Sequence, residues 1–269
     1  MADYVKIVKD FYNASVEGEW KRLEGRMEFI LTSRMMDRYI KHGQTVLDIG
    51  GGPGRYSLYL AEKGCDVTLF DLSEENVAFA RAKAIDMGLP LKAFPGDARK
   101  ADKIIDGQYD HVLLMGPLYH LLEEKDRIRA VEAALNLLNP GGILYVSFIN
   151  NFAGIVYYMK HEPEGLLREM NDKDSDYIDC IVNKRSYAGD AFTKAFFVES
   201  SEILPFMGQF PLEKLHLFGQ EGVSSPCEKN ITDSAPEVLA AWVSLCERLY
   251  ECEDLLNYAE HLMYVGRKM

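Results

Sequence analysis

Residues 46–55 join a short apolar run to a turn that is rich in glycine. The sequence there is V-L-D-I-G-G-G-P-G-R, with Gly50, Gly52 and Gly54 in alternate positions. Glycine adopts positive φ without steric penalty and lets a ligand approach the backbone closely. We expect a β-carbon at any of the three to intrude on that space. A strand, a glycine turn and then a helical pattern predict a nucleotide-like ligand at the end of this strand.

The acidic residue Asp48 precedes the glycines and makes the motif D-x-G-x-G-x-G. The dinucleotide fingerprint G-x-G-x-x-G would need a glycine at position 55, where this chain has Arg55. The difference favours an adenosyl ligand that has no pyrophosphate.

Short apolar runs alternate with helical patterns along the chain, which predicts a doubly wound α/β fold with a parallel sheet. The runs that we interpret as strands cover 45–49, 67–70, 91–94, 111–115, 143–148, 191–198, 212–218 and 261–266. One or two helices are expected within 3–41, where Gly18 and Gly25 interrupt the pattern. Further helices are expected from Ser73 to Gly88, from 124 to before 139, over 200–208 and over 236–257.

Five segments resemble, in order, the motifs of class I S-adenosylmethionine (SAM)-dependent methyltransferases of the small-molecule, bacterial-like type. Residues 48–54 are similar to motif I, and 69–73 (L-F-D-L-S) to the acidic second motif. The later segments are 96–98 (G-D-A), 109–116 (Y-D-H-V-L-L-M-G) and 138–144 (L-N-P-G-G-I-L). The ordered set covers residues 40–150, which is a little under half of the chain.

The resemblance implies a seven-stranded, mostly parallel, Rossmann-like sheet that ends in an antiparallel C-terminal strand. With it, the chain divides into an N-terminal helical cap (1–41), a SAM-binding core (42–150), a helical insertion (151–190) and the remainder of the core (191–269). The implied cofactor is S-adenosyl-L-methionine, and the product is S-adenosyl-L-homocysteine (SAH).

The same resemblance assigns cofactor contacts along the carboxyl edge of the sheet. Asp71, which lies 21 residues after Gly50, is expected to accept the ribose hydroxyls, although it could instead cap the following helix. Asp97 is expected to accept from the adenine amino group, and its alternative is a surface turn. Asp48 is expected to hold loop amides or a water. The full set of predicted cofactor residues is Asp48, Gly50, Gly52, Gly54, Asp71, Leu72, Asp97, Ala98 and Met115.

The residues that follow Met115 are expected to meet the methyl acceptor. His120 is the candidate catalytic base, because an imidazole can accept a proton from a hydroxyl or an amine. Its alternative is to cap a short helix or to shape the site. The predicted acceptor contacts are Tyr12, Tyr119, His120 and Tyr157. The aromatic residues outside the scaffold suggest an apolar lid, and they are Tyr4, Phe11, Tyr12, Trp20, Tyr157 and Tyr158, together with Met159.

Composition excludes some classes of partner. A net charge of −12 is unfavourable for gripping a phosphate backbone, so a nucleic-acid substrate is not expected. The five cysteines form no C-x-x-C pair, and we expect neither disulfides nor a metal site. The N-terminus lacks the apolar block of a signal peptide, and no apolar run reaches membrane-spanning length. We expect a cytosolic monomer or homodimer that does not bind a membrane.

The sequence therefore predicts a methyltransferase that acts on an O, N or C nucleophile of a small molecule. Two alternatives stay open. One is an RNA or protein methyltransferase, which would need a basic surface beside the site. The other is a catalytically silent SAM-binding sensor or partner subunit, which would have no acceptor cavity between the sheet and the cap.

Overall fold

A computed structural model describes residues 3–172 and 175–269. The strands in these ranges are β1 (Thr45–Ile49), β2 (Asp66–Asp71), β3 (Lys92–Pro95), β4 (Tyr109–Leu114), β5 (Leu138–Asn150), β6 (Tyr187–Asp190), β7 (Lys194–Val198), β8 (Leu212–Gly219) and β9 (His261–Lys268). The α-helices are α1 (Asp3–Ala14), α2 (Val16–Arg22), α3 (Met27–Tyr39), α4 (Arg55–Glu62), α5 (Glu74–Asp86), α6 (Glu124–Asn136), α7 (Ala153–His161), α8 (Gly165–Asn171), α9 (Tyr177–Val182), α10 (Ser200–Met207), α11 (Glu228–Thr232) and α12 (Pro236–Leu249).

The sheet confirms the predicted doubly wound, mostly parallel arrangement. Strands β3, β2, β1, β4 and β5 lie side by side and run parallel, and β9 pairs antiparallel with both β5 and β8. These are the seven strands that the resemblance implied. The hairpin β6–β7 adds two more, because the end of β5 pairs in parallel with β7 at Ile149 and Asn150.

Both faces of the sheet are covered, which is the rule for parallel strands. Leu47 and Ile49 of β1 belong to a core on one face, whereas Val46 belongs to the core on the other face. The neighbouring strand β4 divides in the same way, with Val112 on one side and Leu113 on the other. The near-continuous apolar character of these strands follows from this burial.

The N-terminal region folds differently from the prediction of one or two helices. It forms three, and Gly18 lies inside α2 instead of interrupting the pattern. Gly25 does separate α2 from α3, and its φ is +66°. Helix α5 begins as predicted, because the Ser73 hydroxyl accepts from the Asn76 amide at 3.0 Å and caps it.

The chain after β5 does not change character at residue 190, where the expected helical insertion was to end. Helices α7, α8 and α9 are followed by the hairpin β6–β7, which spans that boundary. Tyr177, Tyr187 and Phe197 pack together and fix the hairpin against the insertion. Neither β6 nor the short helix α11 was expected from the sequence.

Two further elements differ at their ends. Strand β5 begins at Leu138, which pairs with Tyr109 before a register shift, so it starts earlier than the predicted residue 143. The helix expected over 236–257 ends at Leu249 and is followed by a 3₁₀ turn over Glu253–Tyr258. Among the described residues, no helix is both long and apolar enough to cross a bilayer.

The two glycines of the N-terminal region give a test of this geometry. A β-carbon at Gly18 or Gly25 would meet no atom within 4 Å, so only the backbone conformation distinguishes them. Gly18→Ala should stabilise the fold by about 0.5–1 kcal/mol, because alanine favours a helix interior. Gly25→Ala should destabilise it by about 1–2 kcal/mol through its left-handed φ. Urea unfolding measures both, and equal effects of the two changes would contradict this assignment.

Candidate functional site

The three predicted glycines have positive φ, namely +82° at Gly50, +55° at Gly52 and +91° at Gly54. Their surroundings differ, however. A β-carbon at Gly50 would lie 2.4 Å from Cδ of Pro117, and one at Gly54 would lie 3.0 Å from Cβ of Ala80. Only Gly52 faces open space. The expectation that all three glycines clear space for a ligand therefore holds for Gly52, while the other two permit close packing within the protein.

The predicted ribose acceptor, Asp71, ends β2 and is buried. Its carboxylate accepts from the amides of Gly52 and Ser73 at 2.8 Å each, and from Nδ2 of Asn76 at 3.3 Å. These three hydrogen bonds favour the charged form of Asp71, but burial opposes ionisation more strongly. The pKa of Asp71 is therefore raised. A carboxylate offers about four acceptor positions. One position is therefore left over. Asp71 does bond the start of α5, as the alternative required, and its contact with a ribose stays a prediction.

Asp48 lies beneath the glycine turn, as predicted, and is only 1% exposed. Its carboxylate accepts from the hydroxyl of Ser57 at 2.7 Å, which ties it to α4 and not to the loop amides that we expected. Burial raises the pKa of Asp48 to about 7. A β-carbon at Gly51 would lie 2.7 Å from Oδ2 of Asp48, so this fourth glycine is also required, which the motif did not reveal.

Asp97 follows β3 and precedes a 3₁₀ turn over Ala98–Lys103. The Arg99 guanidinium donates hydrogen bonds to the Asp97 carboxylate, and its Nε lies 3.0 Å and 3.1 Å from the two oxygens. Burial works against ionisation, but Arg99 outweighs it and lowers the pKa of Asp97. Arg99 also bonds Asp126, which accepts from the hydroxyl of Tyr4 on α1. The N-terminal helix is thereby connected to the predicted adenine segment.

His120 lies in a 3₁₀ turn over Pro117–His120 and is buried. Its Nδ1 is 3.1 Å from the carbonyl of Lys194, and its Nε2 is 2.7 Å from the hydroxyl of Tyr12. Because a carbonyl only accepts, Nδ1 carries the proton and Nε2 accepts from Tyr12. Burial lowers the pKa of His120 to about 4. The ring therefore joins α1 to the hairpin, and its predicted role as a base stays a prediction.

A first cavity opens along the carboxyl edge of the sheet, under helices α1 and α2. It brings together every predicted cofactor residue except Gly54. The predicted residues that line it are Asp48, Gly50, Gly52, Asp71, Leu72, Asp97, Ala98 and Met115. Arg55 and Trp20 lie beside it, with the guanidinium 3.7 Å from the centre of the indole ring. Trp20 thus packs on α4, as a structural part of the lid.

A second cavity of about 650 Å³ lies between the sheet, the N-terminal helices and the insertion. That volume is within the range of small-molecule sites. Its aromatic lining consists of Tyr12, Tyr119, Tyr157, Tyr158, Tyr177, Tyr187, Phe192 and Phe197. The two cavities share the walls formed by Tyr12, Glu19, Arg22, Glu28 and Tyr119. Of the predicted acceptor contacts, Tyr12 and Tyr119 line both cavities, His120 lines the first and Tyr157 the second.

A group of buried charges, which the sequence did not predict, lies at the wall of the second cavity. His261 Nδ1 is 2.6 Å from Oε1 of Glu221 and 3.8 Å from Oε2 of Glu28. Arg22 Nη1 is 2.6 Å from the same oxygen of Glu28. Burial opposes the charged imidazole, but Glu28 and Glu221 together raise the pKa of His261 to about 9. These residues are too far apart in sequence for any spacing to connect them.

Glu28, Glu221 and His261 each offer one ligand atom, all within 4.8 Å of one another. A metal ion would have to displace both the Nδ1 proton of His261 and the guanidinium of Arg22. We therefore interpret the group as an ion-pair network. The expectation that the protein uses no metal stays a prediction.

Comparison with known proteins agrees with this geometry. Residues 46–142 match the family model of a methyltransferase domain. The ubiquinone biosynthesis O-methyltransferase of Cronobacter sakazakii is 27% identical over 177 residues, which cover 66% of this chain and 65% of that protein. The glycine/sarcosine N-methyltransferase of Halorhodospira halochloris is 29% identical over 169 residues, covering 55% and 63%. In both cases the chain spans less than two thirds of the relative's own length.

The fold has a counterpart over its full length. The crystal structure of magnesium protoporphyrin IX methyltransferase from Synechocystis PCC 6803 with bound SAH gives a TM-score of 0.59 at 16% identity, covering 99% of this chain and 100% of that one. Fold, motif order and domain match together define a SAM-dependent methyltransferase domain of class I. Residues 46–142 form that domain, and the glycine-lined cavity lies along the carboxyl edge of its sheet, where open α/β sheets bind their ligands.

The raised pKa of Asp48 predicts a pH effect on stability. An unfolded aspartate has a pKa of about 3.9, so folded Asp48 retains a proton between pH 4 and 7 that the unfolded chain loses. The favourable contribution of protonated Asp48 to the free energy of unfolding is complete below pH 4, and it is lost as the pH rises to 7. Asp48→Asn should therefore stabilise the fold more at pH 7 than at pH 5, by up to about 1.4 kcal/mol per pH unit.

Asp110 provides the matched control for this measurement. The Thr45 amide, its hydroxyl and Asn139 hydrogen-bond the carboxylate and lower the pKa of Asp110. The contribution of Asp110 is lost only in the acid range, below pH 4, so the effect of Asp110→Asn should be equal at pH 5 and pH 7. Urea unfolding at the two pH values compares the variants. A pH-independent effect of Asp48→Asn would contradict the proposed titration.

Proposed function

We propose that this protein transfers the methyl group of SAM to a small-molecule acceptor bound in the second cavity. The observation that carries the proposal is the shared wall between the glycine-lined cavity and the aromatic one. When bound, SAM supplies a sulfonium methyl group, which is a good electrophile without covalent catalysis. The protein then needs chiefly to align the two molecules and to exclude water.

The residues of the first cavity fit an adenosyl group. Asp71 has one acceptor position left for a ribose hydroxyl, and Gly52 presents a side of the loop that no side chain fills. Asp97 and Ala98 line the same cavity, and the Arg99 guanidinium fixes the position of the Asp97 carboxylate there. We propose that these residues bind the ribose and adenine, as the sequence predicted.

The second cavity favours a small molecule over a macromolecule. It is bounded by α1, α2 and the insertion, and most of its charged groups are paired with one another. An RNA substrate would instead require an open basic surface. The same cavity argues against the silent sensor, because a protein that only binds SAM has no need of an acceptor site.

His120 and Tyr12 have a structural part in the proposed site. The hydrogen bond between them fixes a tyrosine that lines both cavities, so the two residues position the boundary at which donor and acceptor would meet. If His120 also acts as a base, it must receive the proton through Tyr12. A loss of turnover in both Tyr12→Phe and His120→Ala, at unchanged SAH affinity, would support that route.

The cofactor assignment has a direct test in Asp71→Asn. The change removes a charged acceptor, and SAH affinity should fall by about 2–3 kcal/mol. That corresponds to a loss of roughly 30-fold to 150-fold in the calorimetric Kd. Asp66→Asn is the matched control, since Asp66 begins the same strand at the opposite edge and bonds only the exposed Lys92. Equal SAH affinity for all three proteins would remove the ribose assignment.

The lid is tested by hydrogen exchange. Helices α1 and α2 cover the first cavity, and the insertion covers the second. Ligands that bind the closed form should therefore slow the exchange of backbone amides in both covering segments. Exchange in residues 3–24, 151–172 and 175–185 should slow when SAH is added, and should slow further with the true acceptor. The predicted region also includes 173 and 174, which lie outside the described residues. Strand β4 is the internal control, because its amides are already protected by the sheet.

Uniform protection of cap and sheet, or no change in the cap, would contradict a closing lid. The cap would then be a fixed part of the fold. Donor and acceptor would have to enter through openings that already exist.

A further inference from the structure

The two nitrogens of His261 face different surroundings. Nδ1 donates to Oε1 of Glu221 at 2.6 Å, and the backbone amide of His261 donates to the other oxygen of that carboxylate at 3.0 Å. These two hydrogen bonds to Glu221 fix the orientation of the imidazole ring. Within 3–172 and 175–269, Nε2 has no hydrogen-bond partner, and the ring lines the second cavity.

This arrangement differs from that of the other histidines near the site. Both nitrogens of His120 are engaged, by Tyr12 and by the Lys194 carbonyl. His161 lies on the exposed face of α7 at the edge of the cavity. Among the histidines that line the second cavity, His261 is therefore the one whose ring a carboxylate orients and whose other nitrogen is available to a ligand.

The charges around His261 favour its cationic form. Glu28 of α3 and Glu221 both face the ring, and Arg22 of α2 opposes them from beyond Glu28. Glu260 lies beside the network, where Lys160 of α7 holds its carboxylate at 2.7 Å. The ring of Tyr119 forms part of the shared wall, and its centre lies 6.3 Å from the centre of the His261 imidazole. Two buried carboxylates thus keep the imidazole protonated at neutral pH, so Nε2 carries an N–H that faces the cavity.

We propose that the imidazolium of His261 donates its Nε2–H to the oxygen of an acidic hydroxyl of the acceptor, and that it thereby holds this group as an oxyanion beside the shared wall. The chemical class of acceptor is then a phenol, a catechol or an enol with a flat ring that suits the aromatic walls. This inference rests on the proposed methyl transfer, because it assigns the acceptor side of that reaction.

The step balances in atoms and electrons. The hydroxyl proton passes to solvent when the acceptor binds as the oxyanion, and an oxygen lone pair then forms the new bond to the methyl carbon. The carbon–sulfur bond breaks, and its electron pair stays on sulfur, which becomes the thioether of SAH. The imidazolium keeps its proton throughout. An ammonium acceptor does not fit this site, since it would meet the positive charge of the imidazolium.

4-Nitrocatechol is a suitable probe, because its visible absorbance distinguishes the phenol from the phenolate. It is titrated with pH in the presence of protein saturated with SAH. The bound probe should ionise at least one pH unit below the free compound, which is a tenfold stabilisation of the phenolate. His261→Gln should return the ionisation of the probe to that of free solution.

The matched control is His216→Gln. His216 also bonds a glutamate through Nδ1, at 3.0 Å from Glu251, but it lies outside both cavities. Its replacement should leave the ionisation of the probe unchanged. If His261→Gln fails to bind SAH and is therefore misfolded, Glu221→Gln replaces it as the test. That variant keeps the imidazole and should move the ionisation of the probe part of the way back toward the free value.

The outcomes separate the two proposals. Failure of SAH to bind the parent protein would overturn the methyl transfer itself. Normal SAH binding, combined with a probe that does not bind or that ionises as in free solution, would overturn only the role of His261. Equal probe behaviour in the parent and in a folded His261→Gln would do the same.

Discussion

The carboxylate of Asp71 fixes the geometry on which the first cavity depends. It accepts from the glycine turn through Gly52 and from the start of α5 through Ser73 and Asn76. The turn is held from the other side as well, since the Gly50 amide donates to the carbonyl of Phe70 at 2.7 Å. One side chain at the end of β2 thus determines where the loop, the helix and the ligand space lie relative to one another.

The scaffold could be predicted because its signals are local. A strand such as β1 is apolar throughout since both of its faces are buried, and the cap of α5 needs only Ser73 and a residue three positions later. The order of the motifs then fixed the topology. Gly18 shows the limit of such reasoning, because a glycine that looks like a breaker lies inside a short helix that tertiary packing maintains.

The acceptor side could not be predicted in the same way. Its walls combine α1 and α2, the 3₁₀ turn that contains Tyr119, the insertion and the first residue of β9. Glu28, Glu221 and His261 have no common motif, and only the folded chain brings their polar atoms within 4.8 Å of one another. His120 was visible to sequence analysis because it follows β4, whereas His261 begins a strand that appeared to serve only the sheet.

The shared wall also constrains how the site can change. Arg22 and Glu28 contact each other and line both cavities, so a substitution at either alters the surroundings of donor and acceptor at once. The affinities for SAM and for the acceptor are then thermodynamically linked. Bound SAM changes the affinity for the acceptor by the same factor by which bound acceptor changes the affinity for SAM. A new acceptor preference is more easily obtained from the insertion and the hairpin, which contact only the second cavity, than from the helices that both ligands share.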